Sequence, residues 1–241
     1  MAIYTLMQFY DPPMRCFTFQ DYQLALTMKE YSYIMRVEIK DQVPFINTKE
    51  LPEFHHIAEA LHLEKKDVKL NLKLKGGIHG FTLKFLMDKA TTFVDAGSCN
   101  TSNVIFGLLI NVIMLFPNNE DFVDLDSICI FMYGNLVPTL LVDTYYSIHL
   151  RNHKKKGNIV CCAHLLYKLC MSHLPNKGHF IENRGNLKWS QRIMPLTTED
   201  ILWYFQNYDD FKIILNYGSF PNMPLIGTKV GIKYNPSLSL R

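Results

Sequence analysis

Hydrophobic residues recur along this chain mainly at helical spacing, with polar punctuation where each run starts and stops. The stretch RCFTFQDYQLALTMKEY, residues 15–31, changes period within a few positions. Cys16, Phe17, Thr18 and Phe19 are aromatic, β-branched or small and predict a short strand. Thr27 followed by Glu30 has the T-x-x-E form of a capping box and predicts a helix from about Thr27. That register puts Met28, Tyr31 and Met35, with Ile34 beside them, on a core-facing side.

Start and stop signals predict further helices. One opens at Pro52 and Glu53 and reaches Leu61. Another covers 81–96, with Leu83, Leu86, Met87, Ala90 and Val94 on its inner face and Gly97 at the C′ position. The apolar run VIFGLLINVIMLF, 104–116, is capped by Thr101 or Ser102 and ended by Pro117; being apolar all round, it is expected to be the most buried element. Helices are also expected from Asp124 or Asp126 to Gly134, from Pro138 at N1 to about His149, from Asn158 to about His173, and over 201–207 behind Thr197 and Asp200.

Two stretches follow another period. KLNLKLK, 69–75, alternates, with Leu70, Leu72 and Leu74 on one face and Lys69, Lys73 and Lys75 on the other, yet it also continues a helix from Glu64; strand and helix both stay open. FKIILNYG, 211–218, predicts a strand, followed by a Pro-, Gly- and Asn-rich loop over 219–236. With no internal repeat and no linker composition, the fold class expected is mainly α: a single helical domain over 1–241 with a few short β-strands.

Composition narrows the picture. The 241 residues are 48% hydrophobic and 20% charged, with mean hydropathy −0.01, enough to bury one full core. A net charge of +3 does not by itself indicate nucleic acid, so only local patches matter. MAIYTLMQFYD lacks a basic n-region and reaches Asp11 at once, which argues against a secretory signal and removes weight from the sequon at Asn100-Thr101-Ser102. The longest apolar run is shorter than the roughly 20 residues of a membrane span and contains Asn111, so no membrane is expected. Six cysteines without a framework, two of them adjacent at Cys161 and Cys162, point to free thiols in a reducing compartment, nuclear or cytoplasmic.

Candidate chemistry is sparse. CCAHLLYKLCMSH pairs Cys161 with His164 and Cys170 with His173, but the pairs lie roughly 13 Å apart along a helix axis. One helix cannot close a tetrahedral site from them, so no metal is expected and the cysteines read as small buried hydrophobes. HLRNHKKKG supplies the one candidate binding patch, Arg151, His153, Lys154, Lys155 and Lys156, suited to phosphate or an acidic partner; the same cations would also complement the dipole of a helix end. Lys65, Lys66, Lys69, Lys73 and Lys75 read as a solvated face. Asp121, Asp124 and Asp126 read as helix-start acids. No nucleophile elbow, H-E-x-x-H, P-loop or dinucleotide fingerprint occurs, so no catalytic residue and no cofactor are expected.

YDPPMRCFTFQDYQLALTMKEYSYI resembles a plant domain of unknown function abundant in legume genomes. The likeness continues through KDQVPF, EALHL, VPTLLVDTYYSIHLR, NIVCCAHLLYKLCMSHLP, NLKWSQRIMPLTTEDILWY and GTKVGIKYNP, and so covers nearly the whole chain. That group is similar in its opening to the aminotransferase-like plant mobile domain, a transposon-associated module, and the chain resembles a copy lacking the family's N-terminal helices. Despite the family name, no Schiff-base lysine, acid partner or phosphate cup can be picked out for pyridoxal phosphate. The resemblance implies a non-enzymatic, transposon-derived protein-interaction domain linked to nuclear transposon or gene silencing, with phosphatase-like nuclear proteins as partners. The alternative it leaves is a nucleic-acid-binding or nucleic-acid-processing remnant of a mobile element.

Overall fold

The computed structural model describes residues 2–20, 22–40, 43–45, 52–115, 121–154, 161–202, 216–217, 220–221, 223–226 and 231–234. The chain is mainly α, with eleven α-helices and ten short strands among the described residues. It divides into two compact units, one made of Met1–Ile39 with Leu141–Arg241, the other of Lys40–Leu140.

The first unit opens with helix α1 (Ala2–Leu6) and strands β1 (Tyr10–Asp11), β2 (Cys16–Thr18) and β3 (Gln23–Leu24), antiparallel in that order. Aromatic contacts seat this small sheet: Phe19 stacks between Phe9 and Tyr22 at 4.6 and 4.5 Å, and Tyr10 lies 5.6 Å from Phe17. Helix α2 (Met28–Met35) carries the expected capping box, Thr27 Oγ1 accepting from the Glu30 amide while Glu30 accepts from the Thr27 amide. Tyr31 is its buried residue; Met28, Ile34 and Met35 are half-buried. It ends at Arg36 in the left-handed region, φ 55°.

The second unit contains α3 (Phe54–Ala60), α4 (Lys65–Asn71), β4 (Lys73–Lys75), β5 (Ile78–Thr82), α5 (Leu83–Asp95), α6 (Cys99–Leu115), β6 (Phe122–Asp124) and α7 (Leu125–Tyr133). The ambiguous KLNLKLK run is both things in turn, helix through Asn71 and then the outer strand of the sheet β4-β5-β6. Its leucine alternation does not mark a buried face, since Leu70 is 84% and Leu74 63% exposed. Gly76 and Gly77, both at positive φ, make the two-residue hairpin turn that returns β5 against β4. A Cβ on Gly80 would collide with the Val123 carbonyl oxygen of β6, so this crossing of strands requires glycine.

Four expectations about α5 and α6 are corrected here. Helix α5 begins at Leu83, not Phe81, because Phe81 pairs with Val123 in the sheet and Thr82 supplies the cap. Its buried positions are Leu86 and Ala90, while Met87 and Val94 stand 48% and 47% exposed; the inner stripe is narrower than the sequence pattern. Helix α6 starts at Cys99, a turn before the expected caps, and Ser102 is buried inside it, donating to the Ala90 carbonyl at 3.1 Å. Ile105, Leu108, Leu109 and Val112 enter the core, but Ile110 is 62% and Phe106 38% exposed. An apolar helix is therefore covered on one side only. Pro117 lies outside the described residues.

The remaining core is apolar, with Ile57, Leu61, Val68, Phe81, Leu86 and Ile128 fully buried. Asp124 caps α7 as expected, its Oδ1 2.6 Å from the Ser127 amide, and Gly134 at φ 70° ends it. Helix α8 (Leu136–Lys154) contains the boundary between the units. It starts before Pro138, which its first turn tolerates because those amides have no intrahelical partner, and it outlasts the expected end at His149.

The first unit resumes with α9 (Ala163–His173), α10 (His179–Glu182) and α11 (Trp189–Ile193). Helix α9 begins at Ala163; Asn158, expected as its cap, lies outside the described residues. Thr197 and Asp200 make the expected capping contact at 2.8 Å, but Ile201 and Leu202 are not helical and 203–207 lie outside the described residues. Of the strand expected over 211–218 only β7 (Asn216–Tyr217) is described, paired with β8 (Phe220–Pro221). The expected loop over 219–236 holds a hairpin of β9 (Met223–Ile226) and β10 (Gly231–Tyr234). Among the described residues no helix is long and apolar enough to cross a membrane.

Candidate functional site

Helix α8 is fastened along one face and bare along another. On the fastened face Thr144, Ser147 and Ile148 are buried, and Tyr31 donates its hydroxyl to Thr144 Oγ1 at 3.1 Å. Tyr145 holds the chain just before α2 twice, accepting from the Leu26 amide at 2.9 Å and donating to the Leu26 carbonyl at 3.1 Å. Burial raises the pKa of both phenols, so each remains a proton donor. On the bare face Val142, Tyr146 and Leu150 follow at i, i+4 and i+8 and are 52%, 64% and 37% exposed. Three large apolar side chains thus stand in one solvent-facing row.

The candidate basic patch begins where that row ends. Arg151 lies with its guanidinium 4.7 Å from the centre of the Tyr4 ring, a cation–π contact that fixes its direction. His153 and Lys154 close α8. Their side chains, and Lys155 and Lys156 altogether, lie outside what is described, so of the five patch residues Arg151 alone is placed. The second lysine series is engaged locally: Lys66 pairs with Glu64 at 2.6 Å, and Lys69 and Lys75 sit over the Phe54 and Phe122 rings.

The Cys-His run is divided by the start of α9. Cys161 and Cys162 precede the helix, His164 is exposed, and Cys170 and His173 are buried, so the pairing of Cys161 with His164 on one continuous helix does not occur. Among the described residues no three potential ligands gather for a metal. All six thiols are free and five are buried, Cys99 being exposed. Burial pushes Cys161 up to about 12 and Cys129 up to about 11, and raises Cys16, Cys162 and Cys170 as well. A thiol held protonated is a poor nucleophile and a poor ligand.

His173 does something the sequence did not announce. Its Nε2 lies 2.7 Å from Glu30 Oε1 and its Nδ1 2.8 Å from the Leu202 carbonyl, so both nitrogens face oxygen acceptors, an arrangement that favours the protonated ring. Burial works against that charge, but the Glu30 hydrogen bond and charge, helped by the Leu202 carbonyl, outweigh it and raise the His173 pKa above the ordinary histidine value. The other Glu30 oxygen accepts from the Thr27 amide at 3.0 Å and hydroxyl at 2.7 Å, and the Leu202 amide returns a bond to the His173 carbonyl at 2.9 Å. One carboxylate thus caps α2 and clamps the end of α9.

Beside this clamp, Ser32, Tyr33 and Ile34 of α2, Arg36, Val37 and Glu38 after it, and Lys168 and Ser172 of α9 line a surface cleft of about 570 Å³. Sequence reading missed it because its walls are separate helices. The only local signal was a helix end without glycine at position 36.

These features define a mainly helical chain whose buried polar groups tie helices together and whose candidate surfaces lie open. It belongs to the family described as a domain of unknown function, DUF7745, whose model matches residues 1–241. No curated protein and no solved structure matches it.

Proposed function

We propose that this chain is a non-enzymatic protein-interaction domain of transposon origin, related to the aminotransferase-like plant mobile domain and acting on a nuclear protein partner in transposon or gene silencing. The observation that carries the interaction reading is the row Val142, Tyr146 and Leu150 on α8, apolar side chains exposed at helical spacing and followed by a cationic end. A row of this kind suits an amphipathic helix or groove on another protein. The raised thiol pKa values and the doubly bonded His173 support the non-enzymatic part, because the buried groups that catalysis would recruit are engaged or protonated.

Affinity capture from plant nuclear extract, with and without nuclease, tests the reading: partners should persist after nuclease. The nucleic-acid alternative makes a different forecast. Four phosphate contacts from Arg151 and Lys154 to Lys156 would give a log–log salt slope of about −3.6 on duplex DNA. Submicromolar binding near physiological salt that disappears when the three lysines become alanine would put that alternative first.

A further inference from the structure

We infer that the cleft between the end of α2 and α9 receives a short acidic–apolar peptide segment of a protein partner, its carboxylate meeting Arg36 and Lys168. The end of α2 with the residues after it, and the middle and last turn of α9, provide the chemistry. Arg36 and Lys168 present cations, Ile34 and Val37 an apolar wall, and the cleft of about 570 Å³ is within the usual size of a ligand site. Ser32 gives its proton to the Val37 carbonyl at 2.6 Å and Ser172 gives its own to the Leu169 carbonyl at 2.5 Å. Each hydroxyl oxygen therefore offers lone pairs to an incoming amide. Cations, acceptors and an aliphatic wall together match a peptide in which an acidic residue neighbours an apolar one; Glu38, the one acid in the lining, disfavours a wholly acidic stretch.

The backbone at Arg36 provides a way to separate fold from binding. Its φ of 55° is a conformation in which an L side chain is strained, and glycine is the usual residue where a helix ends this way. Arg15, His62 and Asp121 share this conformation, so the strain alone does not single out the guanidinium, but it predicts that glycine at position 36 is tolerated by the fold.

This rests on the interaction reading, but its test needs only peptides. The full chain is applied to an array graded from acidic–apolar to basic–polar composition, and the best peptide is titrated in solution. Acidic–apolar peptides should be retained, and Arg36→Glu or Lys168→Glu should weaken binding about tenfold or more. Arg36→Gly separates fold from function: it should melt about 2–4 °C higher while binding weakens. A Tyr146→Asp chain should bind the peptide as wild type does. Binding indifferent to both cations, or no acidic–apolar preference, overturns this inference. If capture of a protein nevertheless depends on the α8 row, the interaction reading survives without it.

Discussion

The two units are stabilised by different physics. Around Phe81, Leu86, Ile105 and Leu108 the Lys40–Leu140 unit has a mainly hydrocarbon core, with fewer polar side chains buried in it (Ser102, Ser127 and Asn135) and one partly buried ion pair, Lys89 with Asp67 at 2.6 Å. The other unit buries aromatic and aliphatic groups too, but it threads them with directional pairs: Glu30 with His173, Tyr31 with Thr144, Tyr145 with Leu26, and Arg192 with the Phe180 carbonyl at 2.7 Å. Apolar burial is tolerant in direction and indifferent to pH. Polar pairing specifies one geometry and depends on protonation. The unit that fixes geometry most strictly is also the one that bears the α8 row and the cleft, a combination that suits preorganised recognition.

The largest expected effect breaks the hydrocarbon unit. Phe81→Ala should cost about 3–5 kcal/mol, read from denaturant midpoints, because the ring is fully buried in the apolar core and stacks on Phe85. Next comes the clamp: Glu30→Ala removes a helix cap and leaves a buried imidazolium unpaired, a loss of about 3 kcal/mol at pH 6. The clamp also fixes the sign of a pH effect. Because the folded His173 pKa lies above its unfolded value, its contribution is complete below the unfolded value of about 6.5 and is lost as pH rises through the folded value. Denaturation from pH 6 to 9 should show declining stability in wild type and a flatter profile in His173→Gln. Smaller still, Ser102→Ala should cost about 1 kcal/mol. At the far end, Tyr146→Ser should change stability by less than about 0.5 kcal/mol, since 64% of that side chain is already in water.

Local signals were legible where a few neighbouring residues decide the outcome. Thr27 with Glu30, Asp124 with Gly134, and the α3 boundaries were all readable, since capping chemistry is contained within one turn. Boundaries failed where a tertiary partner intervened. Phe81 was drawn into a strand by Val123, and Ser102 lies inside α6 because its hydroxyl has a carbonyl on the preceding helix. The exposed side of α6 was illegible for a related reason: composition shows that a helix is apolar, not how many neighbours arrive to cover it. For the candidate surfaces, the basic run drew attention to Arg151, yet its contact is the Tyr4 ring, far away in sequence. The Glu30–His173 clamp joins residues separated by 143 positions, a pairing that no local pattern encodes.

The proposal that α8 recognises protein through its apolar row, and not through its terminal lysines, is tested most directly by parallel capture. Wild type, the Val142→Asp and Tyr146→Asp double variant, and the variant with Lys154, Lys155 and Lys156 replaced by alanine are compared in nuclease-treated plant nuclear extract, with bound protein quantified. The aspartate variant should fold as wild type does, because Val142 and Tyr146 already face solvent. The account predicts that the aspartates abolish a defined set of partners and that the lysine variant retains it. Retention of those partners by the aspartate variant, with their loss in the lysine variant, would contradict it.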